Sequence, residues 1–91
     1  MTELAMTTDY VRDLPDNSTV ALSVISKTVG WSRELQAYAV KTGAVEVADI
    51  PPAGRRGWHV TKDEALRILA AAALAVALGA SLITVLRNGG R

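Results

Sequence analysis

The chain has no cysteine and no phenylalanine, and aromatics make up 4% of its 91 residues. Without Cys there are no disulfides, no thiolate metal sites and no Cys nucleophile. The single histidine, His59, has no second His or carboxylate at metal-ligand or catalytic spacing. A phosphate-cradling Gly loop and a nucleophile paired with a base are also missing, so no enzymatic activity and no cofactor or metal are expected. The N-terminus carries Glu3, Asp9, Asp13 and Asp16 against one Arg12, which is too acidic and too polar for a signal peptide.

What is present is aliphatic. Hydrophobic residues make up 49% of the chain, mostly Ala, Val, Leu and Ile. That composition suits one small domain of closely spaced helices. The net charge of +1 hides a gradient. Residues 1–19 are acidic, and residues 20–62 carry Lys27, Arg33, Lys41, Arg55, Arg56 and Lys62 against three acids. A basic middle behind an acidic arm fits either a nucleic-acid face or an ordinary solvated surface.

Residues 1–18 read as a flexible acidic leader. Asp16-Asn17-Ser18-Thr19 is a turn with a helix N-cap, since short side-chain oxygens accept from the free N–H groups of a first turn. A helix is expected over 20–29, with Leu22, Val24, Ile25 and Val29 inward and Ser23, Ser26 and Lys27 outward. Gly30 breaks it, Ser32 caps a second helix over 33–42, and Gly43 ends that one. Leu35, Tyr38 and Ala39 form its expected inner side. Two short helices around a tight Gly30-Trp31-Ser32 turn have the pattern of a helix-turn-helix. Trp31 is expected to pack at the hinge.

Val45-Glu46-Val47 and Trp58-His59-Val60 alternate like strands on either side of a Pro/Gly-rich basic tip, which predicts a β-hairpin wing. Trp58 is expected to pack this wing on the helices. Thr61 and Glu64 then form a capping box for a long helix over 62–78, with Leu66, Leu69, Ala73 and Val76 as its inner stripe. Gly79 turns the chain into a short helix over 81–88, where Leu82, Val85 and Leu86 share a face. The expected architecture is mainly α with a β-hairpin wing, about four helices, in one domain over 19–88.

Residues 68–86 carry no charge and are bracketed by Arg67 and Arg87. As one rod they would span roughly 28 Å, close to the hydrocarbon thickness of a bilayer. Two burials follow from this. The segment is a C-terminal transmembrane anchor, or it is two helices packed in protein at the Gly79 corner. The second is favoured, with the protein cytoplasmic and the Ala-rich surface covered by a second copy as a homodimer or higher assembly.

The order helix, tight turn, helix, basic hairpin, capped long helix, Gly corner and short helix resembles the winged helix-turn-helix of the MerR and excisionase superfamily. The resemblance covers residues 20–87. It is carried by Gly30 and Gly43, by Tyr38, by the run Gly54-Arg55-Arg56-Gly57-Trp58-His59-Val60-Thr61-Lys62-Asp63-Glu64-Ala65-Leu66, and by Leu78-Gly79-Ala80-Ser81-Leu82. Leu35 and Gln36 are exchanged relative to the family pattern, and the long helix lacks the charges usual on its solvent face. The resemblance implies a small transcriptional regulator or excisionase-like accessory factor that binds double-stranded DNA.

In that reading Ser32, Arg33, Glu34, Gln36, Ala37, Tyr38 and Lys41 present the recognition helix to the duplex. Arg33 and Gln36 carry forked groups for base edges, while Lys41 and Tyr38 face phosphates. Arg55, Arg56 and His59 belong to the wing. The same fold also serves as a protein-interaction or assembly module, which is the remaining alternative.

Overall fold

A computed structural model describes residues 3–48 and 57–88. The elements run α1 (Glu3–Arg12), β1 (Thr19–Ala21), α2 (Leu22–Val29), α3 (Arg33–Lys41), β2 (His59–Thr61), α4 (Lys62–Leu78) and α5 (Leu82–Asn88). The fold is mainly α with one small antiparallel sheet of two strands, compatible with a winged-helix-like domain. The described residues form five helices where about four were expected.

The additional helix is α1, in the segment expected to be a flexible leader. Val11 is 0% exposed, and Leu4 and Leu14 pack against the core. Thr7 Oγ1 and Thr28 Oγ1 share a hydrogen bond of 2.9 Å between α1 and α2. Lys62 Nζ donates to the Leu14 carbonyl at 2.7 Å, which fixes the chain after α1 to the start of α4. The acids that suggested a solvated arm, Glu3, Asp9, Asp13 and Asp16, are all on the exposed side. A ten-residue helix with few apolar positions gives little periodic signal, yet one fully buried Val is enough to seat it.

The sheet pairs β1 with β2, in the register Thr19↔Thr61, Val20↔Val60 and Ala21↔His59. This corrects two expectations. Thr19 is not a helix cap but the first residue of a strand, and α2 starts at Leu22 with no side-chain cap. Its first N–H is satisfied instead by the Trp58 carbonyl at 2.9 Å. The partner of β2 is also not the segment 45–47. Ala44 and Val45 are buried in succession, which breaks the alternation a half-exposed strand needs. The backbone there is engaged elsewhere, since Val45 N donates to the Ala39 carbonyl and Glu46 N to the Glu64 carboxylate. Ala48 N reaches β2, donating to the His59 carbonyl at 2.7 Å. The expected wing tip, with Arg55 and Arg56, lies outside the described residues.

Gly30 closes α2 at φ 81°, and Gly79 closes α4 at φ 66°. Both are left-handed, where a side chain would meet its own carbonyl and glycine does not. At Gly79 the chain turns sharply, so α4 and α5 are bent by 113° to each other. Among the described residues no single helix is long and apolar enough to cross a membrane, although the bent pair meets that test jointly. Ser81 caps α5, its Oγ accepting from Thr84 N at 3.2 Å.

Helix rotation is where the sequence pattern misleads. On α2 the inward positions are Leu22, Ile25 and Ser26, while Val24 is exposed. Ser26 occupies a position at i+4 from Leu22, so geometry buries it despite its hydroxyl. On α4 the buried set is Ala65, Ile68, Leu69, Ala72 and Ala75, not the stripe through Leu66, Ala73 and Val76. An apolar helix with no polar face has no contrast from which to read its inner side.

Replacing Val11 by Ala removes two buried methyl groups and leaves a cavity, at a cost of about 2 kcal/mol. In a domain of this size that lowers the melting temperature by about 10 °C in thermal circular dichroism. The same truncation at exposed Tyr10 is expected to leave it within about 2 °C. Equal, small effects at both positions would show that α1 is not docked.

Candidate nucleic-acid interface

The helix-turn-helix is built from α2, the Gly30-Trp31-Ser32 turn and α3. Trp31 N donates to the Ser26 carbonyl at 2.8 Å, and the ring is half-buried against the core, as expected for a hinge aromatic. Ser32 is the N-cap of α3, its Oγ accepting from Leu35 N at 3.2 Å. That bond is already committed within the chain, so Ser32 positions the helix first.

α3 is anchored along a narrow line. Ala39 is its one fully buried residue, and Val40 packs beside it. Gln36 lies on the same side. Its Oε1 accepts from Ser26 Oγ at 2.7 Å, and Ser26 is 4% exposed. This corrects the assignment of Gln36 as an outward base-reading residue, because its carbonyl satisfies a buried hydroxyl that would otherwise be unpaired. The inner line runs through 36, 39 and 40, which leaves Leu35 and Tyr38 exposed where they were expected inside.

The remaining residues stand together in solvent. Arg33, Glu34, Tyr38 and Lys41 are exposed and Ala37 is half-exposed. Arg33, Glu34 and Lys41 make no hydrogen bond or ion pair among the described residues. Beside this face, Leu35 and Tyr38 form one wall of an open groove of about 500 Å³, with Ile83 and Arg87 of α5 on the other side and Trp31 in its lining.

The exit of α3 is held by a polar cluster on α4. Thr61 Oγ1 accepts from Glu64 N at 3.1 Å, which is the N-cap half of the expected capping box. The Glu64 carboxylate then grips Arg67 in a two-pronged pair, with Nε to Oε1 at 2.8 Å and Nη2 to Oε2 at 2.7 Å. Arg67 Nη2 also donates to the Ala44 carbonyl at 2.7 Å, and Glu46 N donates to Glu64 Oε2 at 2.8 Å. The hydrogen bond to Glu64 raises the Arg67 guanidinium above its ordinary pKa, against the opposing effect of burial. Reading the sequence placed Glu64 at a cap and Arg67 at a bracket, and missed this cluster. Their i,i+3 spacing was the available signal.

His59 sits in β2, half-buried, with Nδ1 shielded from solvent and without a hydrogen-bond partner among the described residues. Trp58 is exposed, which corrects its expected role as a packed wing residue. The described residues contain no group of three or more His, Asp or Glu side chains that could hold a metal ion. No family model, curated protein or solved structure matches this chain.

Gln36→Leu leaves the Ser26 hydroxyl buried without its acceptor and is expected to destabilise the fold by about 1–3 kcal/mol in urea denaturation. Adding Ser26→Ala removes the orphaned group, so the double variant should recover part of that loss. A double variant less stable than Gln36→Leu alone would contradict the assignment.

Proposed function

We propose that this protein binds double-stranded DNA by laying α3 in the major groove, as a small regulator or excisionase-like accessory factor. The observation that carries the reading is the way α3 is mounted. One helix is pinned along a single line by Ala39, Val40 and Gln36, capped at its start by Ser32 and clamped at its exit by Arg67. Arg33 in the first turn and the outer side with Glu34, Tyr38 and Lys41 are exposed to solvent, and Ala37 between them is half-exposed. A reading helix needs this combination of fixed orientation and an uncommitted outer face.

In this reading Arg33, in the first turn, reaches base edges with its forked donors, and guanine is its natural partner. Lys41 and the Tyr38 hydroxyl face phosphates, and Glu34 discriminates by accepting from cytosine or repelling misplaced phosphates. Gln36 has no base contact. Arg55, Arg56 and His59 remain the proposed wing contribution.

A second reading has α3 bind protein rather than DNA. It is favoured by exposed Leu35 beside the α3–α5 groove, since an aliphatic side chain on a reading helix adds nothing to phosphate contact.

Fluorescence anisotropy with selected duplexes tests the proposal. The full chain should bind with an affinity that falls steeply as salt rises. Lys41→Ala should weaken all duplexes alike and reduce the slope of log affinity against log salt by about 1. Arg33→Ala should cost about 1–3 kcal/mol on the preferred duplex and relax preference at one position. Absence of duplex binding at low salt, or affinity insensitive to both substitutions, would reject it.

A further inference from the structure

The face of α4 opposite its buried residues is as apolar as the buried one. Ala70, Ala73, Leu74, Ala77 and Leu78 recur at i, i+3, i+4, i+7 and i+8 along it, and all are exposed, Leu74 by 50% and Leu78 by 66%. Leu66 continues the line toward the helix start. Val76, 80% exposed, is off this line, lining a separate hollow with Val29, Gly79 and Ala80.

The relief of this face is what singles out an occupant. α4 forms a ridge with a groove on each side. The one toward α1, about 570 Å³, is lined by Ala5, Leu66, Ala70 and Ala73, and the one toward α5, about 230 Å³, by Ala70, Ala71, Leu74 and Val85. Knob and hollow therefore lie on the same helix, Leu74 standing one turn from Ala70. A two-fold axis across α4 near Ala72 puts each Leu74 against Ala70 of the partner subunit, and the contact is then complementary to itself. Helices facing each other through alanines approach closely and pack ridge into groove.

The area agrees. From Leu66 to Leu78 the ridge is about 18 Å long, and with α1 and α5 about 8–10 Å to either side the face is about 25 Å wide. That is a projected face of about 450 Å² per copy, which side-chain relief raises toward the ~800 Å² of a standard stable interface. The border of the α1 groove carries the exposed Asp9–Arg12 pair at 3.3 Å and the α5 groove is bordered by Arg67, itself paired with Glu64, so the polar rim is charge-balanced, as at protein interfaces.

We infer that this protein forms a two-fold dimer through the outer face of α4, with Leu74 of each copy seated beside Ala70 and Ala73 of the other. The inference is independent of what α3 binds.

Sedimentation equilibrium of the full chain tests it. The wild type should sediment at twice the 9.6 kDa chain mass. Leu74→Glu should raise the dimer dissociation constant by about 30-fold or more with an unchanged circular dichroism spectrum, and Val76→Glu, equally charged but off the ridge, should leave the dimer intact. Ala70→Glu is the second ridge variant, and decides the matter if Leu74→Glu does not fold. A wild-type monomer at 100 µM (on the order of ordinary dimer tests), or a dimer that survives the folded ridge variant, would overturn the proposal. So would a monomer that floats with phosphatidylserine vesicles and loses that association in the ridge variant, since the face would then meet lipid.

Discussion

The two-pronged pair between Glu64 and Arg67 is the contact on which the arrangement of the other elements rests. It lies in the first turns of α4, where the helix start already favours a carboxylate. From there Arg67 reaches the Ala44 carbonyl and Glu64 receives the Glu46 amide, so both polar ends of the loop after α3 are satisfied by one helix. Two turns of α4 thus set where α3 ends. Lys62, two residues before Glu64, holds the Leu14 carbonyl and the chain after α1 in the same way. Such pairs gain strength from partial burial, and here the Glu64 and Arg67 side chains retain only 12% and 29% exposure.

This explains a division of labour along α4. Its N-terminal turns are polar and fix neighbours by hydrogen bonds with direction. Its C-terminal turns are aliphatic and fix nothing except distance, through Ala72 and Ala75 on the buried side. The Gly79 corner returns the chain so that Leu86 of α5 closes the core. The uncharged stretch over 68–86 is therefore bent and only half covered by its own domain. Its inner half is a core, and its outer half is an exposed aliphatic surface.

Much of the fold was legible in the sequence, and for identifiable reasons. The Gly30 and Gly79 breaks, the Ser32 and Thr61 caps, the bounds of α4 and the helix-turn-helix spacing all follow from local backbone chemistry, which one residue in the right place decides. What was not legible depends on partners far along the chain. β1 exists because Val20 meets Val60, forty residues away. α1 docks through Val11, which carries no signal of its own among polar neighbours. Within the candidate interface Arg33, Glu34 and Lys41 were found as outward residues, whereas Tyr38 was read as inner and is exposed. Gln36 was misplaced because its partner, Ser26, belongs to another helix and looks from the sequence like a solvent-facing serine.

Amide hydrogen exchange in Arg67→Met, which keeps the aliphatic stem and removes the guanidinium, tests most directly whether the α4 cluster is what holds α3 in place. The account predicts that exchange at Val45, Glu46 and the α3 amides rises by about tenfold or more relative to wild type, while the amides of α2 that face Ile68 keep their protection. Unchanged exchange at Glu46 and along α3 would contradict it, and would mean that the turn at Gly30 and the burial of Ala39 are sufficient to hold the helix.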